Sequence, residues 1–382
     1  MRDSYLVFGQ PAIEEPEIEE VVDSLRKAWL GTGPKVAEFE RRIAAHKEVK
    51  HAVAVNSCTA GLHLACLALG LQPGDEVIVP AMTFCATINA VIHSGATPVL
   101  VDVDPATFNM DPEDVARKIT PRTKALMPVH FAGRACDMSR LTALAEKHGL
   151  RIIEDCAHAI ETEFLGRKAG TIGDCGVLSF YSTKNIVTGE GGMVLTNDAT
   201  VAARIKVLAL HGMSQDAWKR FSDDGYKHYE VVEAGFKYNM MDLQAAIGMH
   251  QITRVERYWN RRLEIWRRYM AAFADLPVVL PAEFEVGSKH ALHLFTLLIN
   301  PDCAPVSRDQ FISRMHRQKI GTGVHYRSIP EHPVYQDRFG WKLSDFPVSQ
   351  KIGETTVSLP LSARLSDEDV KDVIETVRGI LE

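Results

Sequence analysis

The chain has 382 residues, of which 46% are hydrophobic and 24% charged, and a formal net charge of −6. That is long and apolar enough for a large core plus a smaller second unit, and it excludes a disordered chain. No basic domain offers itself to a nucleic acid, no run approaches the roughly 18 apolar residues of a membrane span, and the opening MRDSYLVFGQPAIEEPEIEE turns acidic too early for a secretory or transit leader.

These features predict a cytoplasmic protein without nucleic-acid or membrane partners. The seven cysteines are scattered, odd in number and without a CxxC pair. A disulfide framework or zinc knuckle does not fit that pattern, whereas reduced cysteines packed as small hydrophobes do.

Residues 11–28 set Ile13, Ile18, Val21, Val22 and Leu25 at helical spacing, with acids on the opposite face. Trp29 to Pro34 breaks that helix into a loop, and a second helix is expected over 36–47. This opening reads as an arm across the main domain. From His51 to about Thr196 strands alternate with helices, the strands predicted at 52–55, 76–80, 97–103, 123–129, 150–153, 176–181 and 193–196. Several are continuous apolar runs, as in strands covered on both faces. The alternation predicts an α/β fold with a mostly parallel, doubly wound sheet. Asp111-Pro112 and Asp137 mark helix starts, Gly149 a helix end. A helix is also expected directly after Asp155.

Residues 198–212 read as another helix. The polar stretch 213–238, with Trp218, Tyr226, Tyr229 and Phe236 among charges, has the length of a functional or interface loop. Residues 242–275 read as one long or broken helix. Its arginines (Arg254, Arg257, Arg261, Arg262, Arg267, Arg268) suggest a solvated face, because acids and apolar residues interleave with them. Pro277 and Pro281 mark a boundary. The expected division is 1–275, the arm plus a large α/β domain, and 276–382, a small α+β domain. The latter has strands at 293–299 and 323–326, a helix at 308–318 and a last helix begun by Ser366.

The chemistry concentrates in residues 152–195. A lysine in a loop is ordinarily a solvated cation. Lys184, however, follows a buried strand and precedes Gly189-Glu190-Gly191-Gly192, where backbone and ligand can approach closely. A lysine shielded from water becomes a usable amine. Asp155 lies at the end of another strand. If the two strands run parallel, acid and amine share the edge where open α/β sheets bind ligands. The pair suits a carbonyl cofactor held by Lys184 as a Schiff base, its ring nitrogen facing Asp155. Asp155 fits equally as a helix cap, and His158, one turn on, as a packed histidine or as a neighbour of the ring.

Ser57-Cys58-Thr59-Ala60 joins a strand to a helix N-terminus, which makes either a phosphate seat or an ordinary N-cap. The Ser179 hydroxyl is a candidate further donor. With neither GxxxxGK(S/T) nor a strand-linked GxGxxG, kinase and dinucleotide readings lose their support. The pairs His290/His293 and His325/His332 make no metal-binding pattern, so no metal is expected.

Taken together, the stretches WLGTGPKVAEFE, SCTAGLHLACLALGLQPGDEVIVPAMTFCAT, GATPVLVDVDPATFNMDPE, TKALMPVHFAG, IIEDCAHA, FYSTKNIVTGEGG, YNMMDLQAAIGMHQ, GTGVHY and VSLPL resemble one known family. It is the pyridoxal-phosphate (PLP)-dependent sugar aminotransferases of the DegT/StrS group, of aspartate-aminotransferase-like fold. The resemblance spans nearly the whole chain. It implies PLP bound covalently on Lys184, which would also shuttle the proton. Asp155 would pair with the pyridine nitrogen, His158 would lie beside the ring, and Phe84 would stack on it. Thr59 and Ala60 would give backbone donors to the phosphate, and Ser179 a hydroxyl. Asn239 would reach the phosphate of the other subunit of a homodimer. Gly31, Thr32, His325 and Tyr326 would line the sugar pocket. Cys58 departs from the family, where Gly or Asn often stands. The lysine itself favours transamination over the dehydration that relatives with histidine perform.

The expected reaction moves an amino group from an amino acid, glutamate, to a keto-sugar nucleotide, such as a 4-keto-6-deoxy sugar, for polysaccharide or secondary-metabolite synthesis. A ketocyclitol or other carbocyclic ketone is the alternative acceptor. A PLP-binding regulatory protein without turnover is the rival from another class.

Overall fold

The computed structural model describes residues 2–214 and 229–382; Trp218 and Tyr226 lie outside them. Two helices open the chain, α1 (Glu15–Arg26) and α2 (Pro34–Lys47). Strands and crossovers follow: β1 (His51–Val55), α3 (Cys58–Ala68), β2 (Glu76–Pro80), α4 (Cys85–His93), β3 (Thr97–Val101), α5 (Pro112–Lys118), β4 (Thr123–Leu126), α6 (Met138–His148) and β5 (Arg151–Cys156). A small hairpin, β6 (Glu163–Phe164) and β7 (Arg167–Lys168), leads to β8 (Cys175–Ser179), β9 (Gly192–Thr196) and α7 (Ala199–Ala209).

Among the described residues these strands make a seven-stranded sheet in the order β1-β9-β8-β5-β4-β2-β3. Only β9 runs against its neighbours; the remaining strands point one way. The mostly parallel α/β architecture expected from the sequence is therefore present. Side-chain alternation explains why both faces are covered. Val53, Val55, Val177 and Val194 pack with α3, α4 and α7, whereas Ala52, Ala54, Leu178, Met193 and Leu195 face α2 and the helix α8 (Asp242–Gln251). The marked helix starts are real caps: Asp111 accepts from the Glu113 amide and Asp137 from the Arg140 amide, and Gly149 closes α6 in the left-handed region.

Beyond α8 a 3₁₀ turn breaks the long helix before α9 (Val255–Ala272). Then come β10 (Val278–Val279), β11 (Phe295–Ile299), α10 (Arg308–Arg317), α11 (Pro333–Phe339), α12 (Pro347–Thr355), β12 (Thr356–Leu359) and α13 (Asp367–Leu381). The antiparallel sheet β10-β11-β12 shares an apolar cluster with Ile265, Trp266, Tyr269 and Phe273 of α9, with α13, and with Leu6. Leu6 forms a bridge to Ile320, so the N-terminal segment is stitched to this C-terminal layer. No helix among the described residues is long and apolar enough to cross a membrane.

Three expectations need correction. No helix follows Asp155: its own Oδ1 accepts from the Ala157 amide at 3.1 Å, and that tight turn feeds the β6–β7 hairpin. Residues 323–326 form no strand, and only Gly323 pairs, through a single bridge to Ser358. The arginines of α9 are not uniformly solvated. Arg262 is 2% exposed and paired with Glu161 across the chain, and Arg254 is paired with Glu17.

Candidate functional site

β5 and β8 are parallel, with Asp155 opposite Val177 and Cys156 opposite Leu178. Both strands end on one edge, where β5 presents Asp155, β8 presents Ser179, and the turn after β8 presents Lys184. The adjoining βα turn after β1 brings Ser57 to Thr59. These groups line a cavity of about 520 Å³ with Phe84, His158, His325 and Tyr326, a size that holds a cofactor-sized ligand. Among the described residues Lys184 is its one cationic side chain.

Lys184 is half-buried, and desolvation of its ammonium pushes its pKa down to about 8 against the opposing pull of Cys58 and Asp155. Asp155 is buried, and burial raises its carboxyl above the ordinary range. The Ala157 amide, the Thr87 hydroxyl and Lys184 counter that rise. Thr87 donates to Oδ2 at 2.9 Å and is itself bonded to Thr83 at 2.7 Å. Two oxygens with about four lone-pair sites leave Asp155 room for one more donor.

Burial also holds His158 well below the usual imidazole range and His325 at about 3, so both rings are neutral. His325 is bonded to the Ser358 hydroxyl at 2.8 Å and stacks on Phe8 at 5.5 Å between centroids. Phe84 is the N-cap residue of α4, 57% exposed, with its ring 5.8 Å from that of Tyr326.

α3 starts at Cys58 with Ser57 as its N-cap, and the Ser57 hydroxyl accepts from the Ala60 amide at 3.1 Å. A phosphate at this turn competes with that cap for the Ala60 amide. Gly192 of β9 passes so close that an added Cβ would lie 2.6 Å from the Ser57 carbonyl carbon.

Gly31, Thr32 and Asn239 do not join this cavity within one chain. They line a separate open groove of about 1120 Å³, where Asn239 Nδ2 donates to Thr32 Oγ1 at 2.7 Å and Asn239 Oδ1 is buried without a partner. Sequence reading passed over Phe8, Thr83 and Thr87, and weighed His293 only as a metal ligand. The Thr83/Thr87 pair carried a partial signal, two threonines four apart straddling the start of α4, where Thr83 lies just ahead of the N-cap and bonds back to Thr87. Phe8 and His293 carried none.

A second acidic cluster lies beneath the edge. His130, Glu154 and Cys156 come within metal-binding reach of one another. Glu154, however, already accepts from the His130 ring and from the amides of Gly170, Ile172 and Gly173, and His130 Nδ1 accepts from the Cys136 amide. Glu154 and His130 are thereby engaged on their ligand atoms, so the cluster braces the strand.

The chain matches the DegT/DnrJ/EryC1/StrS aminotransferase family over residues 11–378. It belongs to that family. Spore coat polysaccharide biosynthesis protein SpsC of Bacillus subtilis (strain 168) is 48% identical over 381 residues, spanning 100% of this chain and 98% of SpsC. Among solved structures, the PLP form of the putative sugar aminotransferase Spr1654 from Streptococcus pneumoniae superposes with a TM-score of 0.92 at 33% identity, covering 98% of each chain. PseC of Helicobacter pylori, an aminotransferase involved in the biosynthesis of pseudoaminic acid, gives 0.91 at 26% identity over 99% of each. The aspartate-aminotransferase-like fold and the aminotransferase class expected from the motifs are both borne out.

Proposed function

We propose that this DegT/StrS-family chain is a PLP-dependent sugar aminotransferase that takes an amino group from glutamate and delivers it to a keto-sugar nucleotide for polysaccharide biosynthesis. The observation that carries this reading is the convergence of Asp155, Lys184 and the Ser57–Thr59 turn on one 520 Å³ cavity. The donor set fits the cofactor: a lysine amine for its carbonyl, a carboxylate for its ring nitrogen and a helix N-terminus for its phosphate. When bound, PLP supplies an electron-withdrawing ring that carries the amino group between the two half-reactions.

The chain's own residues do the rest. Asp155, held by Thr87 and the Ala157 amide, keeps a proton on the ring nitrogen. A carboxylate partner of this kind shifts a pKa by about 1–3 units. Lys184 Nζ would anchor the cofactor and then carry the proton from the donor's α-carbon to the cofactor carbon that held the carbonyl, acid–base help typically worth roughly 10²–10⁴ in rate. Phe84 would stack on the ring and His158 would lie beside it. The Ser179 hydroxyl and the amides of the 57–60 turn bind the phosphate. His325 and Tyr326 bind the sugar. Asn239, with Gly31 and Thr32, completes the partner's site in a homodimer; the unpartnered Asn239 Oδ1 and the open groove around it support that reading.

Lys184→Ala is expected to abolish turnover and the visible absorbance of bound PLP, read by spectrophotometry with glutamate as donor. Unchanged turnover and absorbance would reject the assignment. The acceptor is read by mass spectrometry of the aminated product from a panel of keto-sugar nucleotides and ketocyclitols. Amination of the ketocyclitols alone would replace the nucleotide-sugar reading.

A further inference from the structure

A buried ion pair adds little net stability, because desolvating both charges offsets most of their attraction. Glu161 is 3% exposed and Arg262 2%, and they pair although 101 residues apart in the chain. What the pair also holds is Asn185, the residue directly after Lys184. The Asn185 amide is fully engaged. Its Nδ2 donates to Glu161 Oε2 at 2.7 Å and to the Ala291 carbonyl at 2.9 Å. Its Oδ1 lies 2.9 Å from His293 Nδ1, so that ring donates to it.

The far ends of these bonds are themselves fastened. The amides of Ala291 and His293 donate to the carbonyls of Gly133 and Ala132 at 2.8 and 3.0 Å. Trp259 of α9 donates to the neighbouring His290 carbonyl at 2.8 Å. The Lys184 amide, by contrast, donates within its own turn, to the Tyr181 carbonyl at 2.8 Å. Asn185 is therefore what ties that turn to α9 and to the segment before β11. On one side of it Ile186, Val187 and Thr188 are buried. On the other, Gly9 crosses so close over Thr183 that an added Cβ would stand 2.7 Å from its Cγ2.

We propose that Asn185 is a positioning residue which, with Glu161 and Arg262 behind it, holds the Lys184 turn in place and keeps the Lys184 amine shielded inside the cavity, an inference that rests on reading Lys184 as the reacting amine. Burial is the largest influence on that amine, ahead of Cys58 and Asp155, so loosening the turn restores its basicity. The other titratable groups sharing its cavity are His158, Tyr181, Glu190, His293, His325 and Tyr326.

Competitive acetylation of the cofactor-free protein with acetic anhydride, read by peptide mass spectrometry, follows the Lys184 amine against pH without any turnover. The wild-type midpoint is expected near pH 8. Asn185→Ala removes no charge and is expected to raise the midpoint by about one unit, making Lys184 about tenfold less reactive at pH 7. Glu161→Gln separates anchoring from electrostatics. Loss of a carboxylate by itself lowers the pKa of a nearby amine, whereas release of the turn raises it, and a rise is expected. Profiles matching wild type, in variants folded by circular dichroism, overturn the proposal. So does a fall in Glu161→Gln, or a wild-type midpoint at the ordinary lysine value of about 10.4. Hydrogen exchange on the wild type decides the matter even if neither variant folds. Peptides covering residues 183–188 are expected to exchange as slowly as those of β8, and exchange at the rate of an open loop overturns the proposal. None of these readouts requires PLP, so a failure of the Lys184→Ala test is a separate outcome.

Discussion

Asp155 and Glu154 are consecutive carboxylates on β5, and the alternation of a strand sends them to opposite faces. Asp155 opens onto the cavity, whereas Glu154 is fully buried among hydrogen-bond donors. Burial by itself would raise the Glu154 pKa. The His130 ring and the amides of Gly170 and Gly173 outweigh it and leave the carboxyl below its ordinary value. A folded pKa below the unfolded one contributes stability that is present above the unfolded value, about 4.3, and is lost as pH falls through the folded one. Glu154→Gln turns an amide toward backbone N–H donors and is expected to cost about 3 kcal/mol or more at pH 7. Thermal melts should show the wild type losing its advantage over the variant as pH drops below about 4. An advantage constant down to pH 3 would contradict this. Sequence alone marked the Glu154-Asp155 pair as belonging to the strand end. It named Asp155 as the acid facing the ring nitrogen but did not foresee the bracing role of Glu154, because that depends on what each face meets: the 170–173 backbone amides on one side and Thr87 on the other.

At the scale of elements, the legible parts were those with local causes. Continuous apolar runs gave the parallel strands, and Asp111, Asp137 and Ser366 gave helix starts that are capped as expected. The misread parts had distant causes. The supposed helix after Asp155 gives way to a turn that hands the chain to a hairpin pairing Glu163 with Lys289. Arg262 is buried because Glu161, 101 residues away, meets it there. At the site β9 passes close against the 57–58 turn. Gly192→Ala would put a Cβ 2.6–2.7 Å from the backbone of Ser57 and Cys58, and crowding of this kind costs roughly 1–3 kcal/mol. PLP retention on dilution, followed by absorbance, is expected to fall in Gly192→Ala. It should remain wild-type in Gly379→Ala, whose Cβ would meet nothing within 4 Å. Equal retention in both variants would show that the turn tolerates displacement.

Over the whole molecule, the site is assembled from segments far apart in sequence. Phe8 and Gly9 come from the N-terminal strap, His325 and Tyr326 from the C-terminal layer, and Lys184 from the central sheet. The strap is fastened by Leu6 against Ile320 and by Arg2 against Asp369 and Asp372. Only the family resemblance suggested that Asn239 reaches a second subunit; spacing within one chain carries no information about a partner. Light scattering is expected to give twice the chain mass, and Asn239→Ala should weaken PLP binding without dissociating the pair. A monomer with full activity would refute that assignment.

Cys58 has one further consequence, for handling the protein at the bench. Its thiol stands in the reaction chamber, yet burial and the neighbouring Asp155 carboxylate push its ionisation well above the ordinary range, so the reactive thiolate is scarce. Cys303, by contrast, is exposed. A maleimide dye applied briefly at neutral pH should therefore mark Cys303 and spare Cys58, giving a fluorescent, surface-tethered enzyme whose chemistry is untouched. Peptide mapping of the dye would show whether it does.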